Sequence, residues 1–147
     1  MIKSTFEQEL DRSGHMIYYF VGDSMRPMLR QKKDLIIIDK RPSGRCRKYD
    51  VVLYKRDSGQ YVLHRILKVR KNDYVICGDN QYIREHGITD RNIIGVLSGF
   101  IRNGKTHSVN EKFYRFYIHL YCDLFYLRAI ILLTKHFFHK LRKNYFN

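Results

Sequence analysis

A serine, a histidine and a carboxylate are the residues of this chain whose types could do chemistry together. Ser24 lies in the polar stretch GDSMRP, directly after the apolar run from Met16 to Val21. His64 sits inside the apolar stretch VLHRI, and Asp79 follows in CGDN. A hydroxyl is a poor nucleophile at neutral pH, so an imidazole must take its proton, and a carboxylate best holds that imidazole in the required tautomer. These residues, in this order, predict a serine nucleophile activated by a histidine base.

Four blocks of the sequence and a weaker fifth resemble the signal peptidase I superfamily, which also includes self-cleaving repressor peptidases. They read VGDSMRPML, DLIIID, KYDVVLYK with YVLHRILKV, CGDNQ, and NIIGVLSGFI, and they span roughly Met16 to Arg102. The bacterial signal peptidases and the repressor peptidases use a lysine as base. His64 is instead similar to the base of the endoplasmic-reticulum and archaeal type. The resemblance implies a serine endopeptidase with a mainly β catalytic domain, which cleaves an extended signal or leader peptide after small residues.

Two carboxylates compete for the role of orienting His64. The resemblance puts Asp79, in the GDN turn, near the site, and it puts Glu85 where the endoplasmic-reticulum type has a further functional aspartate. We rank Asp79 first, Glu85 second and Asp90 a distant third. A different interpretation of Asp79 is an Asx-type turn cap that only shapes the loop. A histidine on an apolar strand is also, taken alone, more often a core residue than a base.

The residues around Ser24 are expected to form the oxyanion and substrate cleft. The backbone amide of Ser24 is the expected first donor to the oxyanion. Bacterial signal peptidases carry a second hydroxyl two residues before the nucleophile, where this chain has Gly22 and no side chain can help. Met25 and Pro27 are expected to position the loop and line the cleft, with ordinary packing and a turn as the alternative. The substrate is expected to bind as an added strand.

Short apolar runs separated by charged or glycine-containing links predict a sheet from Met16 to about Thr106. The candidate strands read MIYYFV, DLIIID, DVVLYK, QYVLHRILKVR, DYVIC and NIIGVLSGFI. In the fourth of them, alternation puts Val62, His64 and Ile66 on one face. The opposite face carries Leu63, Arg65 and Leu67.

The two ends of the chain predict helices. Ser4 is expected to cap a short helix from about Thr5 to Arg12, with Glu7 reaching back to the cap and Gly14 ending the helix. A long helix is expected from Glu111 to Lys143, a stretch without glycine or proline. The predicted organisation is therefore a short N-terminal helix in 1–14, a signal-peptidase-like catalytic domain in 15–109 and a basic, aromatic-rich helix in 110–147.

Three interpretations compete for the C-terminal helix. A membrane-spanning helix needs about 20 apolar residues, and Asp123 and Arg128 would be costly inside lipid. An interfacial helix accommodates both charges and explains the mixture of aromatic residues and cations. The third interpretation is a helix docked on the sheet or on a partner protein. A C-terminal membrane segment occurs in the superfamily, so the resemblance favours lipid.

The composition indicates either an anionic partner or a solvated basic surface, because the positive charge is spread along the chain. The chain has 28 Lys and Arg against 14 Asp and Glu, a net charge of +14, which attracts anionic lipid or nucleic acid. Nucleic acid is not expected, because no binding motif is recognised and the aromatic residues concentrate in the apolar C-terminal helix. Three distant cysteines without a CxxC pair predict buried, reduced thiols, and neither a metal site nor a cofactor is expected. They are Cys46, Cys77 and Cys122.

The expected function is therefore that of a serine endopeptidase of the signal peptidase I type, acting on a peptide or precursor protein. The C-terminal helix is expected to contact an anionic membrane surface. Residues 1–14 contain no apolar segment, so the catalytic domain is expected on the cytoplasmic side. The alternatives are a catalytically inactive binding module of the same fold, or a basic protein that binds membranes or nucleic acid.

Overall fold

The computed structural model describes residues 5–145 and shows an antiparallel sheet with helices at both ends of the chain. The helices are α1 (Phe6–Ser13), α2 (Lys112–Asp123) and α3 (Phe125–Tyr145). The strands are β1 (His15–Tyr19), β2 (Leu35–Lys40), β3 (Val51–Lys55), β4 (Tyr61–Val69), β5 (Tyr74–Cys77), β6 (Glu85–Ile88), β7 (Ile93–Arg102) and β8 (Lys105–Ser108). The prediction of a mainly β fold with a short N-terminal helix is confirmed.

The eight strands form one sheet in the order β1-β2-β7-β3-β4-β5-β6, with β8 also paired to β7. Every pairing is antiparallel. Within the described range, β1 pairs only with β2 and β6 only with β5, so each leaves one edge unpaired. The free edge of β1 leads directly into the stretch that contains Ser24.

The β3–β4 hairpin fixes the two faces of β4. Val52 pairs with His64, and Leu53 pairs with Leu63. Val52 belongs to a core cluster that also contains Ile66, whereas Leu53 and Leu63 belong to the larger cluster on the other side. The predicted alternation along β4 is therefore confirmed, and it puts neighbouring residues of this strand into different environments.

Helix α1 begins one residue later than predicted. Thr5 is its N-cap, and a capping box joins Thr5 to Gln8 in both directions. Glu7 therefore does not serve the cap, and its carboxylate instead accepts a hydrogen bond from the Tyr61 hydroxyl at 2.6 Å. The predicted cap, Ser4, lies outside the described residues. Gly14 is the C-cap, as the sequence predicts.

The single long C-terminal helix of the prediction is two helices. Helix α2 ends at Asp123, and α3 begins at Phe125 after a bend of 73°. The buried side of α2 carries Tyr114, Ile118 and Cys122, which pack against the sheet. The bend lets the next turn bury Phe125 and Arg128 as well, beside the loop that follows β5.

Neither α2 nor α3, the longer helices within residues 5–145, is by itself long and apolar enough to cross a bilayer. Only the two taken together across their bend meet that criterion of length and composition.

Candidate active site

Ser24 is half-buried in the loop that joins β1 to β2. Near the start of this loop, the Gly22 amide donates a 2.9 Å hydrogen bond to Gln31 Oε1, which ties the two arms of the loop together. Gly22 has φ of 104°, a left-handed conformation that side-chain-bearing residues rarely adopt. The side chain of Met25 is fully buried in the larger core cluster and holds the loop from below.

A buried ion pair fixes the returning arm of the same loop. Arg102, at the end of β7, donates to Asp34 Oδ1 at 2.8 Å and to the Met28 carbonyl at 2.7 Å. Asp34 is fully buried and also accepts the Arg30 amide at 2.8 Å. Burial alone would raise the pKa of Asp34, but these hydrogen bonds outweigh it and lower the pKa. The Ser24 loop is thus held by charge-assisted bonds that persist at neutral pH.

The CGDN segment after β5 packs directly on Ser24. The Asn80 amide donates a 2.7 Å hydrogen bond to the Ser24 carbonyl. A Cβ atom built on Gly78 would lie 2.6 Å from the same carbonyl oxygen, so only glycine fits there. Packing therefore explains why the CGDNQ stretch has a glycine at Gly78, because the missing side chain lets this segment approach the Ser24 loop.

Ser24 and His64 line one cleft of about 390 Å³. Its walls come from the end of β1, the Ser24 loop, the β3–β4 hairpin and Gln81, which directly follows the CGDN segment, and they include Gly22 and Arg56. Within residues 5–145, no hydrogen bond joins the Ser24 hydroxyl to the imidazole. The Ser24 backbone amide likewise has no acceptor within that range.

The His64 ring is only 2% exposed and makes its contacts through Nδ1. Tyr54 Oη lies 3.2 Å from Nδ1, and Glu85 Oε1 lies 3.5 Å from it. Tyr54 donates its single hydroxyl proton to Glu85 at 2.8 Å, so its oxygen can only accept a hydrogen bond from Nδ1. This arrangement puts the proton of the neutral imidazole on Nδ1 and leaves the lone pair on Nε2.

The charge states around His64 agree with that assignment. Burial lowers the pKa of His64 to about 4, against an opposing effect of the Glu85 charge, so the ring is neutral at pH 7. Burial, and then the bond to Glu85, raises the pKa of Tyr54 and keeps its hydroxyl protonated. Burial would raise the pKa of Glu85, but hydrogen bonds from Arg56 and Tyr54 lower it, so the carboxylate is charged.

Asp79, ranked first from the sequence, makes no hydrogen bond to His64 within the described residues, although its charge acts to raise the pKa of that ring. Asp79 is 1% exposed and forms a bidentate ion pair with Arg65. Arg65 Nε donates to Asp79 Oδ1 at 2.8 Å, and Arg65 Nη2 donates to Asp79 Oδ2 at 2.7 Å. Tyr117 of α2 donates to the same carboxylate at 3.1 Å. Glu85 rather than Asp79 therefore lies against the imidazole, because His64 and Arg65 point to opposite faces of β4. Glu85 stands at the imidazole, and Asp79 anchors the CGDN segment.

The other sequence candidates are also separated by the fold. Asp90, the third-ranked carboxylate, accepts a hydrogen bond from Tyr74 Oη and lies beside Arg45, away from His64. Gly22 lines the cleft that Ser24 and His64 share. Met25 is a core residue, and Pro27 lines a groove beside α3, so neither belongs to the lining of the Ser24 cleft.

The sequence interpretation missed Tyr54, Arg56 and Arg65. A signal for Tyr54 existed, because the hairpin turn at 57–59 pairs Val52 with His64 and alternation then turns Tyr54 to the same face. No comparable signal ties Arg56 to Glu85, since their contact depends on the pairing of β6 with β5.

Comparisons of the chain with models of protein families, with curated proteins and with solved structures found no match. The functional argument therefore rests on the residues of the cleft.

Proposed function

We propose that this protein is a serine endopeptidase of the signal peptidase I type, in which Ser24 is the nucleophile, His64 the general base and Glu85 the orienting carboxylate. The observation that carries the proposal is the Nδ1 network. It leaves a neutral imidazole with an unprotonated Nε2 in the cleft that Ser24 also lines. That is the state a histidine must have to accept a hydroxyl proton.

The proton then moves along a defined route. As Ser24 Oγ attacks the carbonyl carbon of the scissile peptide bond, its proton passes to His64 Nε2. The imidazolium formed is stabilised by the nearby Glu85 charge, directly and through the Tyr54 hydroxyl. His64 returns the proton to the leaving amine as the C–N bond breaks, and water then hydrolyses the acyl ester by the same steps in reverse. The Ser24–His64 hydrogen bond forms with substrate present, as catalytic hydrogen bonds often do.

The substrate is an extended peptide bound along the free edge of β1. Extended peptides add to an exposed sheet edge through main-chain hydrogen bonds. Ile17 and Tyr19 are 51% and 58% exposed on this strand, and the strand runs directly into the Ser24 loop. The free Ser24 amide supplies one donor to the oxyanion, and Gly22 supplies no side chain for a second.

The test is cleavage of a diverse peptide library, with new termini read by mass spectrometry in the presence of lipid. We expect cleavage by the wild-type protein and its loss in Ser24→Ala, where removal of such a nucleophile can cost about 10⁶ in rate. Ser58→Ala is the matched control, because Ser58 is an exposed serine in the β3–β4 turn. Equal cleavage by wild type and Ser24→Ala would overturn the proposal.

A further inference from the structure

Helix α3 turns its apolar side away from the protein. Tyr126, Ile130, Leu133 and Phe137 recur at intervals of three or four residues, and each is between 47% and 73% exposed. Phe138 lies on the same outer side and is 67% exposed. A helix that belongs to the surface of a globular domain normally turns its apolar stripe toward the core. The outer stripe of α3 is therefore available to contact an apolar environment outside this chain.

The inner side of α3 holds the helix to the catalytic domain. Phe125 and Arg128 are 8% and 7% exposed. Arg128 donates a 3.2 Å hydrogen bond to the carbonyl of Gln81, the residue after the CGDN segment. Its guanidinium lies 5.0 Å from the Tyr121 ring centroid and 4.8 Å from that of Phe125. The orientation of the first turns of α3, and so of its apolar stripe, is fixed relative to the cleft.

The charges of α3 have one sign. From Phe125 to Lys143 the sequence contains no acidic residue. At about 100° of rotation per residue, Lys140 lies about 20° beyond Leu133 at one edge of the apolar side, and Arg142 lies about 40° beyond Phe138 at the other edge. Cations at these flanks can reach lipid phosphates while the outer stripe lies among acyl chains.

We propose that α3 lies in the plane of an anionic phospholipid surface, with its outer apolar stripe inserted below the headgroups and with Lys140 and Arg142 at the phosphates. A second copy of the chain fits this face poorly, because pairing two α3 helices brings cations together with no acidic partner on either. A spanning orientation would bury those cations in hydrocarbon and would pull Arg128 from Gln81. The inference is independent of the peptidase proposal.

The experiment is partitioning of the full-length protein onto vesicles of phosphatidylcholine alone or mixed with phosphatidylglycerol. We expect binding to the anionic vesicles only, weakened by salt. The double substitution Phe137→Ser/Phe138→Ser should lower the partition coefficient at least about tenfold, because two exposed aromatic anchors are lost. Lys140→Gln/Arg142→Gln should lower it by about tenfold or more.

Two matched controls distinguish specific docking through α3 from general attraction of the basic protein to an anionic surface. Ile17→Ser/Tyr19→Ser removes two apolar residues of similar exposure from β1, and Arg91→Gln/Lys105→Gln removes one exposed cation from the turn between β6 and β7 and one from β8. Both controls should bind like wild type. Equal losses in the controls and the α3 variants would overturn the proposal, and so would a lipid-free dimer that Phe137→Ser/Phe138→Ser dissociates.

Insertion has its own readout, because the chain contains no tryptophan. The emission of a Phe137→Trp variant should shift to shorter wavelength on anionic vesicles, as the indole leaves water. A Tyr19→Trp variant should not shift. Identical behaviour of the two reporters would contradict insertion of α3.

Discussion

At the residue scale, the function of His64 depends on which of its nitrogens carries the proton. Tyr54 determines this, because its hydroxyl donates its only proton to Glu85 and its oxygen can therefore only accept a hydrogen bond from Nδ1. Arg56 in turn holds the Glu85 carboxylate, with 2.9 Å between Nε and Oε2. Burial removes the charge from the ring, and the network removes its freedom to change tautomer. In the proposed mechanism, these two effects together prepare Nε2 to accept a proton from Ser24.

The burial of His64 predicts a loss of stability in acid. The pKa of this ring is lowered from 6.5 to about 4 in the folded protein, so the unfolded chain takes up its proton first as the pH falls. The contribution to stability is therefore lost between pH 6.5 and about 4, and at about pH 5 the loss is about 2 kcal/mol. The measurement is denaturant unfolding of wild type and His64→Gln at pH 7 and at about pH 5. Wild type should lose about 2 kcal/mol more than the variant, and equal losses would contradict a buried neutral imidazole.

At the scale of elements, strand β4 directs His64 and Arg65 to two different polar networks, one proposed to be catalytic and one that stabilises the fold. Alternation along β4 sends His64 to the side of Tyr54 and Glu85, and it sends Arg65 to the side of Asp79 and α2. The Arg65–Asp79 pair fixes the CGDN segment, whose Asn80 amide is bonded to the Ser24 carbonyl. The two carboxylates therefore have different tasks, which substitution can distinguish.

Asp79→Asn should mainly cost stability, and Glu85→Gln should mainly cost activity. Asp79→Asn leaves the fully buried Arg65 charge without its counterion, a loss we expect to be about 3 kcal/mol of unfolding free energy. Glu85→Gln removes the charge that stabilises the imidazolium and should lower kcat by tenfold or more, with a smaller loss of stability because Glu85 is partly exposed. The measurements are denaturant unfolding and the rate on a peptide found in the library. The reverse pattern would restore Asp79 as the orienting residue.

The sequence predicts the elements better than it predicts their partners. Six strands were placed within two residues, because each carries an apolar run between turn signals. Strands β6 (EHGI) and β8 (KTHS) were missed, since neither has such a run and each is a strand only through pairing with β5 or β7. The bend at Leu124 lacks glycine or proline and depends on what α2 and α3 bury. The pairing of Asp79 with Arg65 likewise depends on tertiary packing.

At the scale of the whole molecule, the proposed membrane docking combines the positive charge with the outer stripe of α3. A net charge of +14 attracts any anionic surface, but it does not orient the protein on one. In the proposed docking, the stripe of α3 gives the orientation, and Arg128 connects that helix to Gln81, which directly follows the CGDN segment beside Ser24. A protein docked in this way would present its cleft to precursors at the membrane, in a constant position.

The most direct test of the account is acylation of the protein by an activated ester such as p-nitrophenyl acetate, with the modified residue located by tandem mass spectrometry. This test needs no knowledge of the natural substrate. We predict an acetyl group on Ser24 in the wild-type protein and its loss in His64→Ala, with Ser58 unmodified in both. Absence of a Ser24 adduct, or equal acetylation of Ser24 in wild type and His64→Ala, would contradict activation of Ser24 by His64.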